Sequence, residues 1–328
     1  MLNSWLVWSE PLSLLIALVI DAWFGDPVAL YRKLPHPIVL IGTVIAWADA
    51  RFNRESDAAR RRRNAGLVLI VALVAASLLI GGLIQALLLR LPFGWLWLGL
   101  AMSALVAQRS LYGHVADVAR AIEVSGVEGG RLAVSKIVGR DPNRLDRAGV
   151  SRAAIESLAE NFSDAVVAPA FWALLLGLPG LVAYKTINTA DSMIGHRSAR
   201  HRDFGWAAAR LDDAVNWPAA RLSALLMMLG ALLLPGADAG EACSVTARDA
   251  RHHRSPNAGW PEAALAGALG FALNGPRSYH GVPTEEPWTN ASGRKALDAP
   301  DIWEALRLYL RACLLLAAGV AAVAFIAH

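Results

Sequence analysis

An uncharged apolar run over residues 65–89 constrains the fold of this chain more than any other feature. About 20 apolar residues in a helix cross the hydrocarbon core of a bilayer, and a backbone in lipid must satisfy its hydrogen bonds within the segment. The chain is 55% hydrophobic and only 18% charged, with 12 Trp and a mean hydropathy of +0.40. This composition excludes an ordinary soluble globule and predicts a membrane protein of several helices.

Other apolar segments approach or reach spanning length, at 5–24, 95–107, 218–234 and 306–326. The predicted fold is therefore all-α: a polytopic integral membrane helical bundle with about five spanning helices plus short broken or re-entrant helices. We expect a single membrane domain over 1–328 with large polar loops at 49–64, 108–164, 185–217, 236–257 and 274–304. No Lys or Arg precedes Arg32 and no convincing cleavage site is present, so the first span is expected to be retained.

A cluster of arginines sets the predicted orientation. Its members are Arg51, Arg54, Arg60, Arg61, Arg62 and Arg63. Because cytoplasmic loops carry an excess of Lys and Arg, this loop is expected in the cytoplasm, and the protein in the cell inner membrane with several passes. A topology anchor is favoured over a nucleic-acid patch, so no nucleic-acid partner is expected.

Proline and glycine interrupt the apolar region over 165–184. Pro169 lies near its start, and Leu178-Pro179-Gly180 splits it into two pieces that are each too short to span. A broken or re-entrant hairpin is predicted, which would return 185–213 to the side that holds 152–164. The segment 35–47, entered through Pro35-His36-Pro37, is interpreted as a second short element of this kind.

Polar residues recur at helical spacing in the segment that precedes this hairpin. Arg152, Glu156, Glu160 and Asp164 fall at i, i+4, i+8 and i+12, so they line one slowly rotating face of a helix. Carboxylates in such a row can hold Mg²⁺, and an Arg can grip an anion. The alternative is a solvated helix face with ordinary i,i+4 pairs. The position of the row at the membrane boundary favours a site.

A second polar segment follows the hairpin. Its donors, acceptors and titratable groups are Lys185, Asn188, Asp191, Ser192 and His196, and then Asp212, Asp213 and Asn216. Lys185 can bind a phosphate, neutralise a carboxylate, or simply snorkel to the membrane interface. For His196 a hydrogen-bonding or anion-facing role is favoured over zinc, because no HxxxH or Cys/His set accompanies it.

Residues 255–262 have the pattern of a helix start, with Ser or Asn as cap, an early Pro and an acidic residue in the first turn. Cys243 and Cys313 lie far apart and indicate neither a metal site nor a disulfide. No repeat of fixed period is found. The chain also lacks GxxxxGK[ST] and GxGxxG, which excludes nucleotide sites of those two types.

Several long blocks of this sequence resemble those of the adenosylcobinamide-phosphate synthase family, which are integral membrane proteins of cobalamin biosynthesis. They are RAAIESLAENFSDAVVAPAFWALLLGLPG, YKTINTADSMIGHR, RLDDAVNWPAARL and SPNAGWPEAALAGALG, with DAWFGDP and LPHPIVLIG near the start. The resemblance implies a corrinoid-pathway ligase that forms an amide between adenosylcobyric acid and aminopropanol or aminopropanol phosphate. Forming an amide from a carboxylate needs activation, so ATP and Mg²⁺ are expected as cofactors.

Roles follow for the polar residues under this hypothesis. The catalytic set is Glu156, Glu160, Asp164, Lys185, Asp191, Asp212 and Asp213, and the metal ligands among them are Glu160, Asp164 and Asp191. The substrate-binding set is Asp26, His36, Arg152, Asn161, Asn188, Ser192, His196, Ser255 and Asn257. Membrane lipids are expected partners, together with other corrinoid-pathway enzymes or a second copy of the chain.

Two functions of other classes are also compatible with the sequence. A transporter of corrinoids or other small molecules places polar residues at broken helices as well, but moves its substrate without this ligase chemistry. A non-catalytic membrane scaffold for late cobalamin synthesis would tolerate the loss of single carboxylates. The sequence leaves open whether the amine is aminopropanol or its phosphate.

Overall fold

The structure is a computed structural model that describes residues 4–25, 31, 35–138, 142–196, 198–279, 282–284 and 286–327. Helices make up nearly all of the regular structure in these ranges. They are α1 (Ser4–Phe24), α2 (Pro37–Phe52), α3 (Ala59–Leu88), α4 (Gly94–Ser103), α5 (Gln108–Val134), α6 (Arg147–Phe162), α7 (Ala168–Ile194), α8 (Trp206–Leu232), α9 (Ala239–Asp249), α10 (Gly259–Leu269) and α11 (Ala299–Ile326). A π-helical turn, Ser163–Val167, joins α6 to α7.

Four very short strands interrupt the helices near the C-terminal end. β1 (Leu273–Asn274) pairs antiparallel with β4 (Trp288–Thr289), which places Asn274 opposite Trp288. β2 (Arg277–Tyr279) pairs antiparallel with β3 (Val282–Thr284).

The prediction of an all-α polytopic membrane bundle is confirmed. Four helical stretches of the described chain are long and apolar enough to cross a membrane: Ala59–Leu88, Arg147–Ile194, Trp206–Leu232 and Ala299–Ile326. On α3, Val68, Leu79 and Leu83 are each more than 60% exposed. Large apolar side chains exposed along a whole helix are typical of a surface that contacts lipid.

The apolar segment predicted over 95–107 forms only α4, a helix of 10 residues. Such a helix is about 15 Å long, half the thickness of a hydrocarbon core. The α4 helix alone is therefore too short to cross the bilayer.

The polar segments 108–164 and 185–217 between the predicted spans are largely helical. Most of the first is α5 and α6, and the second includes the end of α7 and the start of α8. On α5, Leu111, Val115, Val118 and Ile122 are buried at helical spacing. Apolar residues one turn apart bury one face of the helix while its polar residues remain in solvent, which explains a helix with so polar a sequence.

The chain forms two compact units, each assembled from separate segments. Unit 1 comprises residues 1–107, 168–216 and 320–328, and unit 2 comprises residues 108–167 and 217–319. In unit 1 the helices α2, α3 and α7 pack around a core that includes Ile45, Ile70 and Phe204. In unit 2, α9 packs on α10, and α5 packs on α6.

The predicted break in 165–184 is confirmed, and it lies at Gly177. Gly177 has φ 65° and ψ −153° inside α7. A Cβ atom on Gly180 would lie 2.5 Å from the carbonyl oxygen of Trp172. Residues eight apart in a straight helix are about 12 Å apart, so the chain folds back at Gly177 into a helical hairpin.

The same turn occurs in α5, where sequence reasoning did not predict it. Gly126 has φ 66° and ψ −157°, and a Cβ atom on Gly129 would lie 2.9 Å from the carbonyl oxygen of Ala121. Both turns have the sequence Gly-x-x-Gly. The sequence Asp-Ala-Val-x-x-Pro-Ala follows each turn, beginning at Asp164 after the Gly126 turn and at Asp213 after the Gly177 turn. The chain therefore contains a repeated element, although no repeat of fixed period was predicted.

The segment predicted as a second short element, 35–47, forms most of α2. Pro37 is the first residue of this helix, and the side chain of His36 caps it, since its Nδ1 accepts a hydrogen bond from the backbone N of Ile38 at 3.2 Å. Prolines at the first position of a helix lose no hydrogen bond there.

Candidate functional site

A group of carboxylates and amides lies where α7 and α8 pack in unit 1. Oδ2 of Asp212 accepts a hydrogen bond from Asn216 at 2.9 Å, and Oδ1 accepts one from Asn188 at 3.4 Å. Asn216 in turn accepts a hydrogen bond from the hydroxyl of Tyr184 at 2.8 Å. Asp212 is only 9% exposed, so these amides hold its carboxylate in one orientation.

Two further carboxylates belong to this acidic cluster. Asp191 interacts electrostatically with Asp213, and both interact with Asp212. His196 provides an opposing positive charge to Asp191 when protonated. The cluster thus brings together five residues that the sequence predicted as site residues, namely Asn188, Asp191, His196, Asp212 and Asp213.

Two other predicted residues lie on the same part of α7 and differ in exposure. Lys185 is 7% exposed, which is unusual for a Lys and excludes simple snorkelling into solvent. Ser192 is exposed, and its hydroxyl donates to the carbonyl oxygen of Asn188 at 2.9 Å.

In unit 2, two buried carboxylates converge on Asn274. The backbone N of Asn274 donates to Oε1 of Glu156 at 2.8 Å. Its side-chain amide donates to Oε2 of Glu262 and to Oγ1 of Thr289, both at 2.9 Å. Glu156 and Glu262 are 4% and 3% exposed. This arrangement fixes β1 against α6 and α10.

The predicted row of polar residues on α6 does not remain on one face. Glu156 is buried against Asn274 while Glu160 is exposed. Asp164 lies beyond the end of α6, in the π-helical turn, and a π turn shifts the register of the residues that follow. The hydroxyl of Ser163 in the same turn is buried with no hydrogen-bond partner among the described residues.

Arg152 and Asn161 make contacts within unit 2. The guanidinium of Arg152 lies 5.0 Å from the ring centroid of Trp288, and its Nη1 donates to the carbonyl oxygen of Lys295 at 3.3 Å. The side-chain amide of Asn161 donates to the carbonyl oxygen of Ser157 at 2.9 Å.

A helix starts within 255–262 as predicted, but its N-cap is Ala258 and not the expected Ser or Asn. The hydroxyl of Ser255 accepts hydrogen bonds from the backbone N of Asn257 and of Ala258, just before α10 begins. Oδ1 of Asn257 accepts from Arg221 at 2.9 Å. The guanidinium of Arg221 lies 4.4 Å from the ring centroid of Trp260.

The remaining predicted residues fall outside these groups. Asp26 lies outside the described residues, and His36 caps α2. The predicted metal ligands are divided between the units, Asp191 in unit 1 and Glu160 and Asp164 in unit 2. In the described part of the chain, no three His, Cys, Asp or Glu side chains are grouped so as to hold a metal ion. The metal set stays a prediction.

A cavity in unit 2 was not predicted from the sequence. It has a volume of about 220 Å³ and is lined by Asp249, His252, His253, Arg254, Asn274, Glu286, Pro287, Trp288 and Thr289. These residues come from three short segments that are distant in sequence: the end of α9 with the residues that follow it, β1, and β4 with the residues before it. The run His252-His253-Arg254 was the one local signal, since three basic side chains there interrupt an otherwise ordinary loop.

Asp249 is an ionised group in the wall of this cavity. Burial raises the pKa of its carboxyl, but hydrogen bonds from Arg248 and from the backbone N of Asn290 outweigh burial, so the pKa is lowered from its ordinary value. The wall therefore carries negative charge beside the basic run at 252–254.

Comparison with known proteins identifies similar chains over nearly the whole length. The profile of the family described as CobD/CbiB protein matches residues 14–309. A cobalamin biosynthesis protein CobD of Sinorhizobium sp is 52% identical over 319 residues, which cover 96% of this chain and 98% of that protein. The CobD proteins of Brucella suis biovar 1 (strain 1330) and Rhodobacter capsulatus are 53% and 46% identical, over 90% and 91% of this chain and 90% and 92% of those proteins. No solved structure matches.

Proposed function

Because the chain belongs to the CobD/CbiB family, we propose that this multi-pass membrane protein acts in cobalamin biosynthesis as an amide-forming ligase. The proposed reaction joins the carboxylate of adenosylcobyric acid to the amine of aminopropanol or aminopropanol phosphate, giving adenosylcobinamide or its phosphate. The acidic cluster of α7 and α8 is the observation that carries the proposal.

The acidic cluster offers carboxylate oxygens from Asp191, Asp212 and Asp213, the ligand type that Mg²⁺ prefers. These side chains are not grouped so as to hold a metal ion by themselves, so the proposed Mg²⁺ would be held by one or two of them together with phosphate oxygens of ATP. When bound, ATP with Mg²⁺ would supply the phosphoryl group that activates the carboxylate. The buried Lys185 on the same helix provides a positive charge suited to a phosphate oxygen.

The amides around Asp212 define its proposed task. Hydrogen bonds from Asn188 and Asn216 hold both carboxylate oxygens, so this group is oriented before a substrate arrives. Amide formation requires the attacking nitrogen to lose a proton. Asp212 or the neighbouring Asp213 is the proposed acceptor of that proton, and Asp191 with His196 is proposed to bind the substrates.

The proposed location is the inner membrane, with the arginine-rich loop over 49–64 in the cytoplasm. One arginine of this loop also stabilises unit 1. Arg62 is 8% exposed, and it donates to Oδ1 of Asn53 at 2.7 Å and to the carbonyl oxygen of Arg200.

A product assay on the full chain in detergent tests the function. Purified protein is supplied with adenosylcobyric acid, ATP, Mg²⁺ and either aminopropanol or its phosphate, and the corrinoid product is measured. Asp212→Asn and Asp213→Asn should each lower the rate by about 100-fold or more, the usual size of a general acid–base contribution. Asp117→Asn serves as the control, because Asp117 forms only an exposed pair with Arg120 on α5.

The absence of product with the natural sequence would count against the ligase. An undiminished rate in both cluster variants would reject the acidic cluster as its site, and an undiminished rate after Glu160→Ala and Asp164→Ala together would reject these two residues as metal ligands. Substrate flux into vesicles without ATP consumption would instead support a transporter.

A further inference from the structure

Two tryptophan rings and one amide hold the side chain of Arg221 on α8, in unit 2. Its guanidinium carbon lies 4.5 Å from the ring centroid of Trp217 and 4.4 Å from that of Trp260. Its Nη1 donates to the carbonyl oxygen of Trp217 at 3.1 Å and to Oδ1 of the buried Asn257 at 2.9 Å. Ring contacts and in-plane hydrogen bonds together fix the orientation of the guanidinium.

Another edge of this guanidinium is not used within the described part of the chain, where Nε and Nη2 of Arg221 donate to no protein atom. Arg248 uses the same edge to hold Asp249, since its Nε and Nη2 donate to the two carboxylate oxygens at 2.8 Å and 2.9 Å. Two parallel N–H groups of this kind match a pair of carboxylate or phosphate oxygens. Arg221 therefore presents a preformed edge for an anion.

A second arginine adds positive charge beside Arg221. Arg251, in the turn that follows α9, lies close enough to Arg221 to repel it electrostatically. Its side chain is exposed and forms no hydrogen bond or ion pair with the described residues. Like charges that lie close together repel each other. An anion that contacts both guanidinium groups would offset this repulsion.

The neighbours of Arg221 along α8 indicate the source of such an anion. Trp217, Arg221, Leu225 and Leu229 follow at intervals of four, so they line one slowly rotating face of the helix. The three apolar members are large and yet 58%, 49% and 40% exposed. The helix itself is long and apolar enough to cross a membrane. An exposed apolar face with a Trp and an Arg at its start is typical of a lipid contact at the membrane–water interface.

The length of this face fits an acyl chain that extends from a phosphate. Eight residues separate Arg221 from Leu229, which is about 12 Å along a helix. The hydrocarbon region of one leaflet is about 15 Å thick, half of a core of about 30 Å. A soluble phosphate ester would contact the arginines but not the leucines, whereas a phospholipid would contact both.

We propose that Arg221 and Arg251 bind the phosphate of an anionic phospholipid whose acyl chain lies along Leu225 and Leu229. The Nε–Nη2 edge of Arg221 donates to two phosphate oxygens, and Arg251 adds a second positive charge. A zwitterionic lipid such as phosphatidylcholine would bring its own cation next to Arg251. The site therefore selects lipids with a net negative charge, such as phosphatidylglycerol. This binding is independent of the ligase reaction.

Native mass spectrometry of the full chain in detergent tests the choice of ligand. The protein is titrated with phosphatidylglycerol, phosphatidylcholine and glycerophosphoglycerol, which is the phosphatidylglycerol headgroup without acyl chains. Phosphatidylglycerol should bind at least about tenfold more tightly than either of the others, because one adds a cation and the other lacks contact with the leucines. Equal affinity for both lipids would overturn the selectivity. Equal affinity for the deacylated headgroup would replace the lipid by a soluble phosphate ester.

Substitutions test the location of the site. Arg221→Lys should weaken phosphatidylglycerol binding at least about tenfold, because Lys lacks the parallel N–H groups. Arg251→Gln should also weaken it about tenfold by removing the second charge. Since Arg251 is exposed and makes no contact of its own with the described residues, its variant should fold even if a variant of Arg221 does not.

The matched control is Arg248→Gln, which removes a nearby cation whose Nε–Nη2 edge is already filled by Asp249. Its affinity should stay within about twofold of the natural sequence, as expected for a surface substitution away from the ligand. Unchanged affinity after Arg251→Gln, or an equal loss in the control, would overturn the site. A lipid-free dimer that Leu225→Gln disrupts would assign this face to a second copy of the chain and overturn the lipid.

Discussion

Asn274 illustrates how one residue determines local geometry in unit 2. It has φ 58°, a left-handed conformation that Asn adopts more readily than most other residues with a side chain. In this conformation its backbone N reaches Glu156 while its side chain reaches Glu262. Glu156 was predicted to act in catalysis, and its contact with Asn274 gives it a second possible role, in positioning a wall of the cavity.

Substitution of Glu156 distinguishes these two roles. Glu156→Gln keeps an oxygen that can accept from the backbone N of Asn274, so it should cost less stability than Glu156→Ala, which leaves that donor buried and unsatisfied at about 1–3 kcal/mol. Unfolding in detergent and the rate of product formation are measured together. Equally low rates for Gln and Ala, with stability retained in both, would show that the charge itself is required for the reaction.

Asp49 gives unit 1 a stability that depends on pH. Burial raises the pKa of its carboxyl. Hydrogen bonds from Asn53 and Arg200 and the charge of Arg200 lower the pKa by more than burial raises it, so the pKa lies below its ordinary value. A carboxyl with a lowered folded-state pKa stabilises the protein at neutral pH, and this stabilisation is lost as the pH falls through the folded-state pKa.

Asp49→Asn should therefore lower the free energy of unfolding by about 1–2 kcal/mol at pH 7, as expected for hydrogen bonds to a charged group. The difference from the natural sequence should shrink below about pH 4, where the ordinary Asp becomes protonated. Thermal unfolding at several pH values measures it. A difference that stays constant down to pH 3 would contradict the assignment.

At the scale of elements, the two Gly-x-x-Gly hairpins are the main departure from a simple bundle. Gly177 requires a positive φ, and a Cβ atom there would lie 2.5 Å from Oε1 of Gln85. Gly126 requires the same φ, but a Cβ atom would meet nothing within 4 Å. The first turn is thus restricted by conformation and space, and the second by conformation alone.

Alanine substitutions at these glycines should lower the free energy of unfolding in that order. Gly177→Ala should destabilise most, Gly126→Ala should cost about 1–2 kcal/mol for the left-handed conformation, and Gly113→Ala should be neutral or stabilising by up to about 1 kcal/mol. Gly113 lies inside α5, and a Cβ atom there would meet nothing within 4 Å. Thermal unfolding in detergent measures the series. Equal effects at all three positions would refute the turn geometry.

The elements that the sequence predicted well are those determined by local pattern. The long apolar helix α3 follows from hydropathy, and the break near Pro179 follows from turn residues. The break at Gly126 was missed because Gly126, Gly129 and Gly130 lie in polar sequence, where glycine also occurs in ordinary loops.

The two candidate sites differed in how far sequence could predict them. The acidic cluster was predictable because Asn188 and Asp191 lie about one turn apart on one helix, and Asp212 and Asp213 are adjacent in another polar block. The cavity was not, because Asn274, Trp288 and His253 meet only through strand pairing and loop packing. Sequence spacing carries no information about such long-range contacts.

At the scale of the molecule, the predicted orientation in the membrane rests on the arginine-rich loop over 49–64. We predict that a cysteine at Glu55, an exposed position in that loop, is labelled by a membrane-impermeant thiol reagent in inverted vesicles and not in intact spheroplasts. The exposed Cys243 and the buried Cys313 are first replaced by Ser. Labelling from the periplasmic side would reverse the proposed orientation.

The Gly177 and Gly126 hairpins also bear on how the chain folds. Each brings together residues that are only eight positions apart, Trp172 with Gly180 and Ala121 with Gly129. Loops of about this length close in roughly 10–100 ns, far faster than the synthesis of a single residue. The hairpins can therefore close as soon as they leave the ribosome, before the helices that follow them have been made. Each would then behave as a preformed block during assembly, which lowers the contact order of a chain whose two units are built from interleaved segments.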